Sequence, residues 1–480
     1  MKISVAKGDG IGPEIMDAVL RIFDAAKVTL DYEFIEMGKT YFEQGFGTGM
    51  TPAAKESVER NGILFKGPME TPKGKGMKSI NVTARKTWST YANRRHFQTL
   101  PGVDTVFSKG GIPVDITIVR ENIECTYGGI EHMNSKDVAI ARRIITRPGC
   151  EQVIRFAFEM ARKEGFTKVT CAHKANIMKL TDGMFLETFQ QIALEFPEIN
   201  APDIIVDDLA MKLVARPHEF QVIVLTNLQG DIMSDLCAGL VGGLGFAPSA
   251  NIGDNISIFE AVHGTAPDIA GKFLANPTSL LLSGLMMLRH LGYMHQAATI
   301  ENALRYTLEQ GSHTPDFGDR TIEALNTNEF ADAIIANLGK NPDYSKPRVA
   351  VDGVKLFEKP AAPAKQRMME SNIDGKKTIK GVDVFIECNL SGAELAEKIA
   401  PLVATNHKLT TISNRGTMVW PSGSVFTECI DNYCARIEGD MNMKEIYELL
   451  SRISDQFFVP SHEVLCMYGD RAGYSLAQGQ

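Results

Sequence analysis

Two carboxylates, Asp231 and Asp235, stand four residues apart in the segment Gly230-Asp-Ile-Met-Ser-Asp235, just after the apolar run Val222 to Leu225. If this segment is helical, both side chains lie on one face, where two like charges destabilise the helix slightly unless a cation offsets them. Hard oxygen ligands of this kind suit Mg²⁺ or Mn²⁺, with water and substrate oxygens in the remaining positions. The alternative is a pair of ordinary acids near a helix N-terminus, which explains Asp231 well and Asp235 less well.

Three arginines suggest an acidic small-molecule ligand. Arg85 follows Ser79 and Asn81 within two helical turns, Arg95 stands ten residues further on, and Arg120 follows a second apolar run. A guanidinium group binds a carboxylate through two parallel hydrogen bonds, so three of them suit a substrate with several carboxylates. Any one of these arginines alone is better explained as a solvated surface residue.

Candidates for proton transfer also follow predicted strands. Tyr127 follows Arg120 by one loop, and Lys174 with Asn176 comes directly after the β-type run Lys168 to Ala172. Open α/β sheets bind their ligands at the carboxyl ends of their strands. A lysine there is normally a solvated cation, but a neighbouring metal or cation would lower its pKa and allow it to move protons near neutral pH.

A glycine-rich turn, Gly8-Asp-Gly-Ile-Gly-Pro-Glu14, connects the first apolar run to a helical pattern. Pro13 stands near the first helical position, where its missing N–H does no harm. The turn alone is about as consistent with tight packing as with a nucleotide contact. Its G-x-G-x-G spacing lacks the dinucleotide-binding pattern, so a Rossmann domain is not predicted.

The elements that would position these residues alternate between short β-type runs and longer helical patterns, which predicts an α/β fold with a largely parallel sheet. The strand candidates are Ile3 to Ala6, Gly62 to Phe65, Ile116 to Val119, Lys168 to Ala172 and Val222 to Leu225, and the clearest helical patterns are Glu14 to Ala26 and Glu151 to Lys163.

Residues 341–380 are proline-rich and charged, and they are predicted to form a linker because they contain too few apolar residues to pack. Residues 381–480 then give the order βαββαβ of a ferredoxin-like module. Its strands are predicted near Val382 to Glu387, Leu409 to Ile412, Tyr433 to Ile437 and Glu463 to Met467, and its helices near Ala393 to Val403 and Met443 to Ile453. No catalytic constellation is recognised in this module.

Composition excludes several classes of protein. The 480 residues are 44% hydrophobic and 22% charged, which is ordinary for globular domains. A net charge of −8 argues against a broad nucleic-acid surface, and no apolar stretch is long enough to span a membrane. The eight cysteines form no C-x-x-C pair, so they are expected to be reduced thiols. A cytoplasmic location is expected because no secretory segment opens the chain.

Taken together and in order, these segments resemble the isocitrate and isopropylmalate dehydrogenase family over about residues 1–339. The clearest resemblance lies in the N-terminal glycine motif and in Asn227 to Asp235 with Gly242 to Gly253. The resemblance implies a two-domain α/β fold that is not a Rossmann fold. It places a large cofactor-binding domain at 1–98 and 254–340, and a small domain with the metal site and dimer contacts at 99–253.

The resemblance also implies roles for the candidate residues. Ser79 and Asn81 mark enzymes that act on isocitrate and would engage its γ-carboxylate, while the three arginines would bind the other carboxylates. Tyr127 and Lys174 would transfer protons beside Asn176. Asp207 would join Asp231 and Asp235 as ligands of Mg²⁺ or Mn²⁺. In the family Lys174 and Asp207 come from the neighbouring subunit, so a homodimer with shared active sites is expected, and a higher oligomer is compatible.

NAD is expected as the cofactor. By the same resemblance, family members that use NADP have a lysine and a tyrosine at the positions of Asp268 and Ile269. They also tend to have a tyrosine and an arginine at the positions of Pro315 and Asp319. A carboxylate accepts hydrogen bonds from ribose hydroxyls and repels a 2′-phosphate. The full set of expected cofactor contacts is Thr71, Glu260, His263, Gly264, Thr265, Ala266, Asp268, Ile269 and Asn276.

Alternatives remain open at this point. Homoisocitrate is the nearest alternative substrate, because one added methylene changes pocket energies by only about 1–3 kcal/mol. Isopropylmalate, the substrate of the other branch of the family, is a further alternative. A silent regulatory subunit of a hetero-oligomer is a hypothesis of a different class. The module 381–480 resembles the extra domain of longer bacterial isocitrate dehydrogenases and is expected to make subunit contacts, with a regulatory ligand site as the lesser alternative.

Overall fold

The computed structural model describes residues 1–70, 79–350, 368–369 and 375–475. The chain divides into two compact units. The first comprises Met1–Tyr127, Ile145–Lys174 and Met184–Met369, and the second comprises Gly128–Ile144, Ala175–Gly183 and Glu370–Gln480.

Strands and helices alternate through most of the chain. The strands are β1 Lys2–Ala6, β2 Asp31–Phe34, β3 Ile63–Lys66, β4 Ala92–Gln98, β5 Asp115–Glu121, β6 Glu131–Ser135, β7 Val138–Ala141, β8 Val169–His173, β9 Asp203–Ile205, β10 Val222–Leu225, β11 Pro248–Ile252, β12 Ser257–Ala261, β13 Lys377–Glu387, β14 Lys408–Asn414, β15 Thr417–Trp420, β16 Asn432–Glu438, β17 Phe458–Tyr468 and β18 Arg471–Ala472. The α-helices are α1 Gly12–Ala25, α2 Lys39–Glu43, α3 Pro52–Asn61, α4 Ile80–Thr87, α5 Val106–Lys109, α6 Arg147–Glu164, α7 Thr181–Ala193, α8 Val206–Ala215, α9 Asn227–Leu240, α10 Thr278–His290, α11 Met294–Glu309, α12 Thr327–Ala336, α13 Gly392–Ile399 and α14 Met443–Ser454.

The first unit is built on one ten-stranded sheet in the order β2-β1-β3-β12-β11-β4-β5-β10-β8-β9. Pairing is parallel on both sides of the centre and antiparallel only where β11 meets β12 and β4, and where β4 meets β5. The predicted α/β fold with a largely parallel sheet is therefore confirmed. Strands from both predicted domains enter this sheet, and the division into 1–98 with 254–340 and 99–253 remains a prediction.

Apolar side chains on both faces of the sheet hold this unit together. Strands β3 and β10 are buried along their full length, as strands covered on both faces must be. Helix α1 turns Ile15, Val19 and Phe23 inward, and the ring of Phe23 stacks on Phe65 with centroids 6.1 Å apart. Helix α10 is buried over almost all of its length, so its hydrophobic run is a core helix.

The glycine-rich turn between β1 and α1 is a close-packing device. Gly10 has a φ of +60°, and a Cβ added there would lie 2.1 Å from the carbonyl oxygen of Thr265. The amide of Ile11 donates to that same carbonyl oxygen at 2.9 Å. Only glycine allows this approach. The turn therefore fixes the loop after β12 against the start of α1.

The second unit contains a six-stranded antiparallel sheet in the order β15-β14-β16-β13-β17-β18. Its four inner strands, with α13 and α14, reproduce the predicted βαββαβ ferredoxin-like order, and β15 and β18 are additions at its edges. The hairpin β6–β7 belongs to the same unit, where Ser135 Oγ donates to Asp431 Oδ1 at 2.8 Å.

The predicted linker 341–380 is too long at both ends. Asp343, Tyr344 and Ser345 donate backbone hydrogen bonds to the Glu309 carboxylate, so this stretch lies on the first unit. Strand β13 already begins at Lys377. The composition gave no sign of packing because residues 343–348 are held by hydrogen bonds to the Glu309 carboxylate and by the ion pair of Arg348 with the buried Glu301, and not by apolar burial. The central part of the predicted linker lies outside the described residues.

Two further expectations concern single features. All eight cysteines lie in the described part of the chain and are free thiols, as predicted. Among the described residues, no helix combines the length and apolar character needed to cross a membrane.

Candidate functional site

The paired carboxylates lie on α9, as the spacing predicted. Strand β10 is fully buried, ends at Leu225, and leads directly into the helix, which carries Asp231 and Asp235 with side chains 32% and 61% exposed. Gly230 is required just before them, because a Cβ there would lie 2.7 Å from Arg120 Cγ. Helix α9 can therefore press its carboxylate face against the end of β5.

Asp231 is the centre of a charged cluster. Its carboxylate forms a short ion pair with Arg120, lies 3.6 Å from Arg95 Nη2, and accepts a hydrogen bond from the Tyr127 hydroxyl at 2.5 Å. Burial alone would raise the pKa of Asp231, but the charge of Arg120 and the Tyr127 hydrogen bond lower it on balance. Asp231 is therefore a carboxylate surrounded by donors.

Asp235 differs from its neighbour. Arg95 Nη1 lies 3.4 Å from its Oδ1, yet burial and the like charge of Asp231 raise its pKa. A divalent cation between the two carboxylates would remove that repulsion. Two partly exposed oxygen ligands one helical turn apart thus fit Mg²⁺ or Mn²⁺.

Arg120 and Tyr127 are held together beside this pair. Arg120 is 1% exposed and donates from Nε and Nη2 to Asn227 Oδ1 at 3.0 and 2.7 Å. Its guanidinium lies 4.9 Å from the centroid of the Tyr127 ring. Burial and the hydrogen bond to Asp231 raise the pKa of Tyr127, so the phenol keeps its proton at neutral pH.

Arg95 reaches the same cluster from β4. It is 5% exposed, and it donates from Nε to Asn93 Oδ1 at 2.9 Å and from Nη1 to Ser234 Oγ at 2.7 Å. A buried guanidinium fixed by two neutral partners retains donors for an acidic ligand. Asn93 and Ser234, like Asn227, were not among the predicted site residues. Ser234 and Asn227 lie inside the sequence motif of α9, which could have identified them as site residues. No sequence motif identifies Asn93.

Ser79, Asn81 and Arg85 lie at the start and along one side of α4. Ser79 caps the helix through a 3.5 Å contact from the Val82 amide. Asn81 Oδ1 accepts a hydrogen bond from Lys66 Nζ at 2.8 Å, and Arg85 Nη2 lies 2.8 Å from Glu260 Oε1.

Glu260 is a buried ion-pair residue in this structure. It is 3% exposed, its Oε2 lies 2.5 Å from Lys66 Nζ, and Asn251 Nδ2 donates to its Oε1 at 2.8 Å. Burial would raise the pKa of Glu260, but the charges of Lys66 and Arg85 lower it on balance. Its carboxylate is thus occupied by protein groups, and its expected cofactor contact remains a prediction.

Lys174 and Asp207 form a second, separate pair. Lys174 follows β8, Asp207 lies in the first turn of α8, and their side chains form a short ion pair. The hydrogen bond from Lys174 lowers the pKa of Asp207. Within the described ranges, no group of three His, Cys, Asp or Glu residues is positioned to hold a metal. Asn176 belongs to the second unit, and its role stays a prediction.

The expected cofactor loop follows β12. The His263 ring is partly buried, and desolvation lowers its pKa. Its Nδ1 lies 3.0 Å from the Gly264 carbonyl oxygen, and its buried Nε2 has no hydrogen-bond partner in the part of the chain that the structure describes. A buried ring nitrogen without a partner fits a bound ligand that completes its hydrogen bonds. Asp268 is exposed in the following turn, where the amide of Ile269 donates to the Ala266 carbonyl oxygen at 3.1 Å.

The remaining predicted cofactor residues are placed as follows. Asn276 is buried, and its Nδ2 donates to Asp316 Oδ2 at 3.2 Å. Thr265 is 9% exposed and offers its carbonyl oxygen to the glycine-rich turn. Thr71 lies outside the described residues.

Comparison with known proteins identifies two family models along the chain. A family model described as isocitrate/isopropylmalate dehydrogenase matches residues 2–334, and one described as the C-terminal domain of bacterial isocitrate dehydrogenase matches residues 377–480.

Three known proteins illustrate the range of similarity. An NADP isocitrate dehydrogenase of Thermus thermophilus is 45% identical over 483 residues, with 100% of this chain and 96% of the relative covered. A mitochondrial regulatory subunit of the NAD isocitrate dehydrogenase of Dictyostelium discoideum is 45% identical over 341 residues, which are 71% of this chain and 93% of the relative. A crystal structure of a protein from Thermus thermophilus superimposes with a TM-score of 0.91 at 44% identity, covering 100% of this chain and 96% of that one.

Proposed function

The chain belongs to the isocitrate/isopropylmalate dehydrogenase family, and on that premise we propose that it converts isocitrate to 2-oxoglutarate and CO₂, with NAD as hydride acceptor and Mg²⁺ or Mn²⁺ as the metal. One observation carries this proposal. Arg95, Arg120 and Tyr127 converge on the carboxylate pair Asp231 and Asp235. Cationic donors, a protonated phenol and hard oxygen ligands are the groups that oxidative decarboxylation of a polycarboxylic hydroxy acid requires.

Substrate binding falls to the buried arginines. Arg95 and Arg120 are fixed by hydrogen bonds to Ser234 and Asn227 as well as by ion pairs with Asp231, so they can present guanidinium donors to substrate carboxylates with little loss of rotamer entropy. Arg85 and Asn81 extend the set along α4, and we assign the third carboxylate to Asn81 with Ser79. A divalent cation held by Asp231 and Asp235 would supply Lewis-acid polarisation of the substrate oxygens.

Proton transfer falls to Tyr127. Its phenol donates to Asp231 and has a raised pKa, so it holds a proton that it can deliver to the enol left after loss of CO₂. The nicotinamide ring, when bound, would accept the hydride from the carbinol carbon. We assign re-protonation of Tyr127 to Lys174, whose Nζ forms an ion pair with Asp207.

We infer that complete sites form between two copies of the chain. In one chain Lys174 pairs with Asp207, and within the described residues Asp207 does not come together with Asp231 and Asp235 as a metal-holding group. A site that needs Lys174, Asp207 and Asp231 together would then take the first two from a second copy. The family resemblance supports the same arrangement. This makes a homodimer the smallest active species.

For the cofactor, we infer NAD from the loop after β12. Asp268 is exposed there as a carboxylate, and Asp319 is a second exposed carboxylate in the same unit. Negative charge disfavours the 2′-phosphate of NADP. The alternative, NADP, is favoured by a specific observation: the Thermus thermophilus relative that spans the whole chain carries NADP in its name. Measured coenzyme preference decides between them.

A regulatory role without catalysis is the hypothesis of a different class, and the Dictyostelium discoideum relative is named as a regulatory subunit. We disfavour it because this chain retains Tyr127, Lys174, Asp207, Asp231 and Asp235. The test is the purified chain alone with isocitrate, NAD and Mn²⁺, followed by absorbance of NADH, with EDTA as the control. Activity that EDTA abolishes supports the proposal, whereas no activity with either metal or either coenzyme removes it.

A further inference from the structure

The loop that joins β5 to Tyr127 is held by a buried carboxylate outside the set of groups that face the substrate. Glu121, the last residue of β5, is 4% exposed. Its Oε1 accepts the backbone amide of Ile123 at 2.7 Å, and its Oε2 accepts the amide of Glu124 at 3.0 Å. The side chain thus closes the first turn after the strand by satisfying two amides that would otherwise be unpaired.

Further contacts fix the rest of this loop. The carboxylate of Glu124 accepts the backbone amide of Thr146 at 2.8 Å and a short hydrogen bond from the Thr146 hydroxyl, and Thr146 caps α6. Cys125 is fully buried with a φ of +66°, a conformation that a non-glycine residue holds only when its surroundings impose it. Lys86 Nζ donates to the Tyr127 carbonyl oxygen at 2.5 Å.

Resting on the function proposed above, we propose that Glu121 is a positioning residue for proton transfer, whose carboxylate closes the turn after β5 and thereby holds the Tyr127 hydroxyl on Asp231. Two amide hydrogen bonds at the base of the loop set the path of the backbone to Cys125, and from there the tyrosine ring is directed over Arg120. Loss of these two hydrogen bonds would displace the Tyr127 phenol, and displacement by about 1 Å can lower a rate by up to about 100-fold.

The protonation state of Glu121 makes the device sensitive to pH. Burial, together with the like charge of Glu124, raises its pKa to about 7, against the lowering effect of the backbone amides of Asn122, Ile123 and Glu124. The titratable groups that face it are Glu124 in the same loop and Cys150 on α6, whose thiol is also affected by Arg147. Above pH 7 the carboxylate accepts both amides. Below pH 7 the protonated carboxyl has lost an acceptor oxygen, so the turn loosens.

The test combines hydrogen exchange with kinetics for Glu121→Gln, with Glu151→Gln on the exposed side of α6 as the matched control. Mass spectrometry of a peptide covering residues 122–127, corrected for intrinsic rates, should show protected amides in the wild type at pH 8 and reduced protection at pH 6. Glu121→Gln should exchange at least about 10-fold faster at both pH values, while the control behaves as the wild type.

In the same proteins, kcat for isocitrate should fall about 10-fold in Glu121→Gln with KM within about 2-fold, and the acid limb of kcat near pH 7 should disappear. A merely structural defect lowers the active fraction at every pH and leaves that limb in place. Glu121→Asp, which keeps the charge, should retain the limb. Unchanged exchange, or an acid limb that persists in Glu121→Gln, overturns the inference. A wild type inactive on isocitrate removes the proposed function instead, and the exchange result still decides whether Glu121 holds the loop.

Discussion

Substituting Tyr127 in one copy of the chain and Lys174 in the other tests whether complete sites form between two copies. Tyr127 donates to Asp231 in one cluster of the chain, and Lys174 pairs with Asp207 in another. Tyr127→Phe removes the phenolic proton, and Lys174→Met removes the ammonium group without removing the side chain's bulk. Each variant alone is expected to lose about 10²-fold or more in kcat, since each removes a proton-transfer group.

The size of the recovery on mixing follows from the geometry. If equal amounts of the two variants exchange subunits at random, about half of the dimers contain one chain of each kind. In such a dimer one site has lost both residues and the other has wild-type Tyr127 facing wild-type Lys174. The mixture should therefore reach about one quarter of the wild-type rate per chain.

The assay is NADH formation after the two variants are dissociated in dilute denaturant and reassociated together. The matched control mixes Tyr127→Phe with Asp231→Asn. These two residues share a cluster on one chain, so both sites of every mixed dimer stay damaged and no rate should return. Failure of the Tyr127→Phe and Lys174→Met mixture to exceed its separate components, with subunit exchange verified, would refute the shared site.

Three further outcomes are expected. Replacing Asp268 with Lys and Ile269 with Tyr should raise the ratio of kcat/KM with NADP to kcat/KM with NAD by roughly 30-fold, or about 2 kcal/mol, because charge reversal at an exposed position acts through high-dielectric solvent. The change in this ratio should shrink in high salt, and an unchanged ratio contradicts the assignment. Asp235→Asn should raise the Mn²⁺ concentration for half-maximal activity by at least about 10-fold, measured by metal titration, while unchanged metal dependence excludes this residue as a ligand. Glu301→Gln should lower the free energy of unfolding, measured by urea titration, by about 3 kcal/mol, because the buried carboxylate faces Arg289, Arg305 and Arg348.

The pH dependence of the Glu301 contribution has a fixed sign. Its carboxyl pKa is lowered on balance, since the three arginines outweigh the effect of burial. A depressed pKa contributes stability above the unfolded value of about 4.3 and loses it as the pH falls below that value. The difference between wild type and Glu301→Gln should therefore be full at pH 7 and disappear in strong acid. A difference that grows on acidification would contradict this assignment.

Local sequence patterns were sufficient for the elements that carry the site. The apolar run at Val222 to Leu225 and the spacing of Asp231 and Asp235 predicted β10 and α9, and the structure confirms both. The same holds for the βαββαβ order of the second unit. These features depend on periodicity within one segment, which a single sequence contains.

Features that depend on pairing between distant segments could not be predicted. Lys66 ends a buried strand and forms an ion pair with Glu260. Lysine is rarely buried without a partner, and here the partner lies on β12, which only the order of strands in the sheet brings next to β3. No local sequence pattern indicates this ion pair. The grouping of the hairpin β6–β7 with the second unit is equally non-local. Residues 343–348 are polar, so their attachment through Glu309 and Arg348 left no apolar pattern.

The most direct measurement compares kcat/KM for isocitrate, homoisocitrate and isopropylmalate with NAD and with NADP, in one preparation and with Mn²⁺ present. Isocitrate with NAD should give the highest value, and addition of EDTA should abolish it. A higher value for homoisocitrate or isopropylmalate would contradict the assignment of Ser79 and Asn81 to the γ-carboxylate. A higher value with NADP would contradict the role given to Asp268 while leaving the decarboxylation chemistry in place.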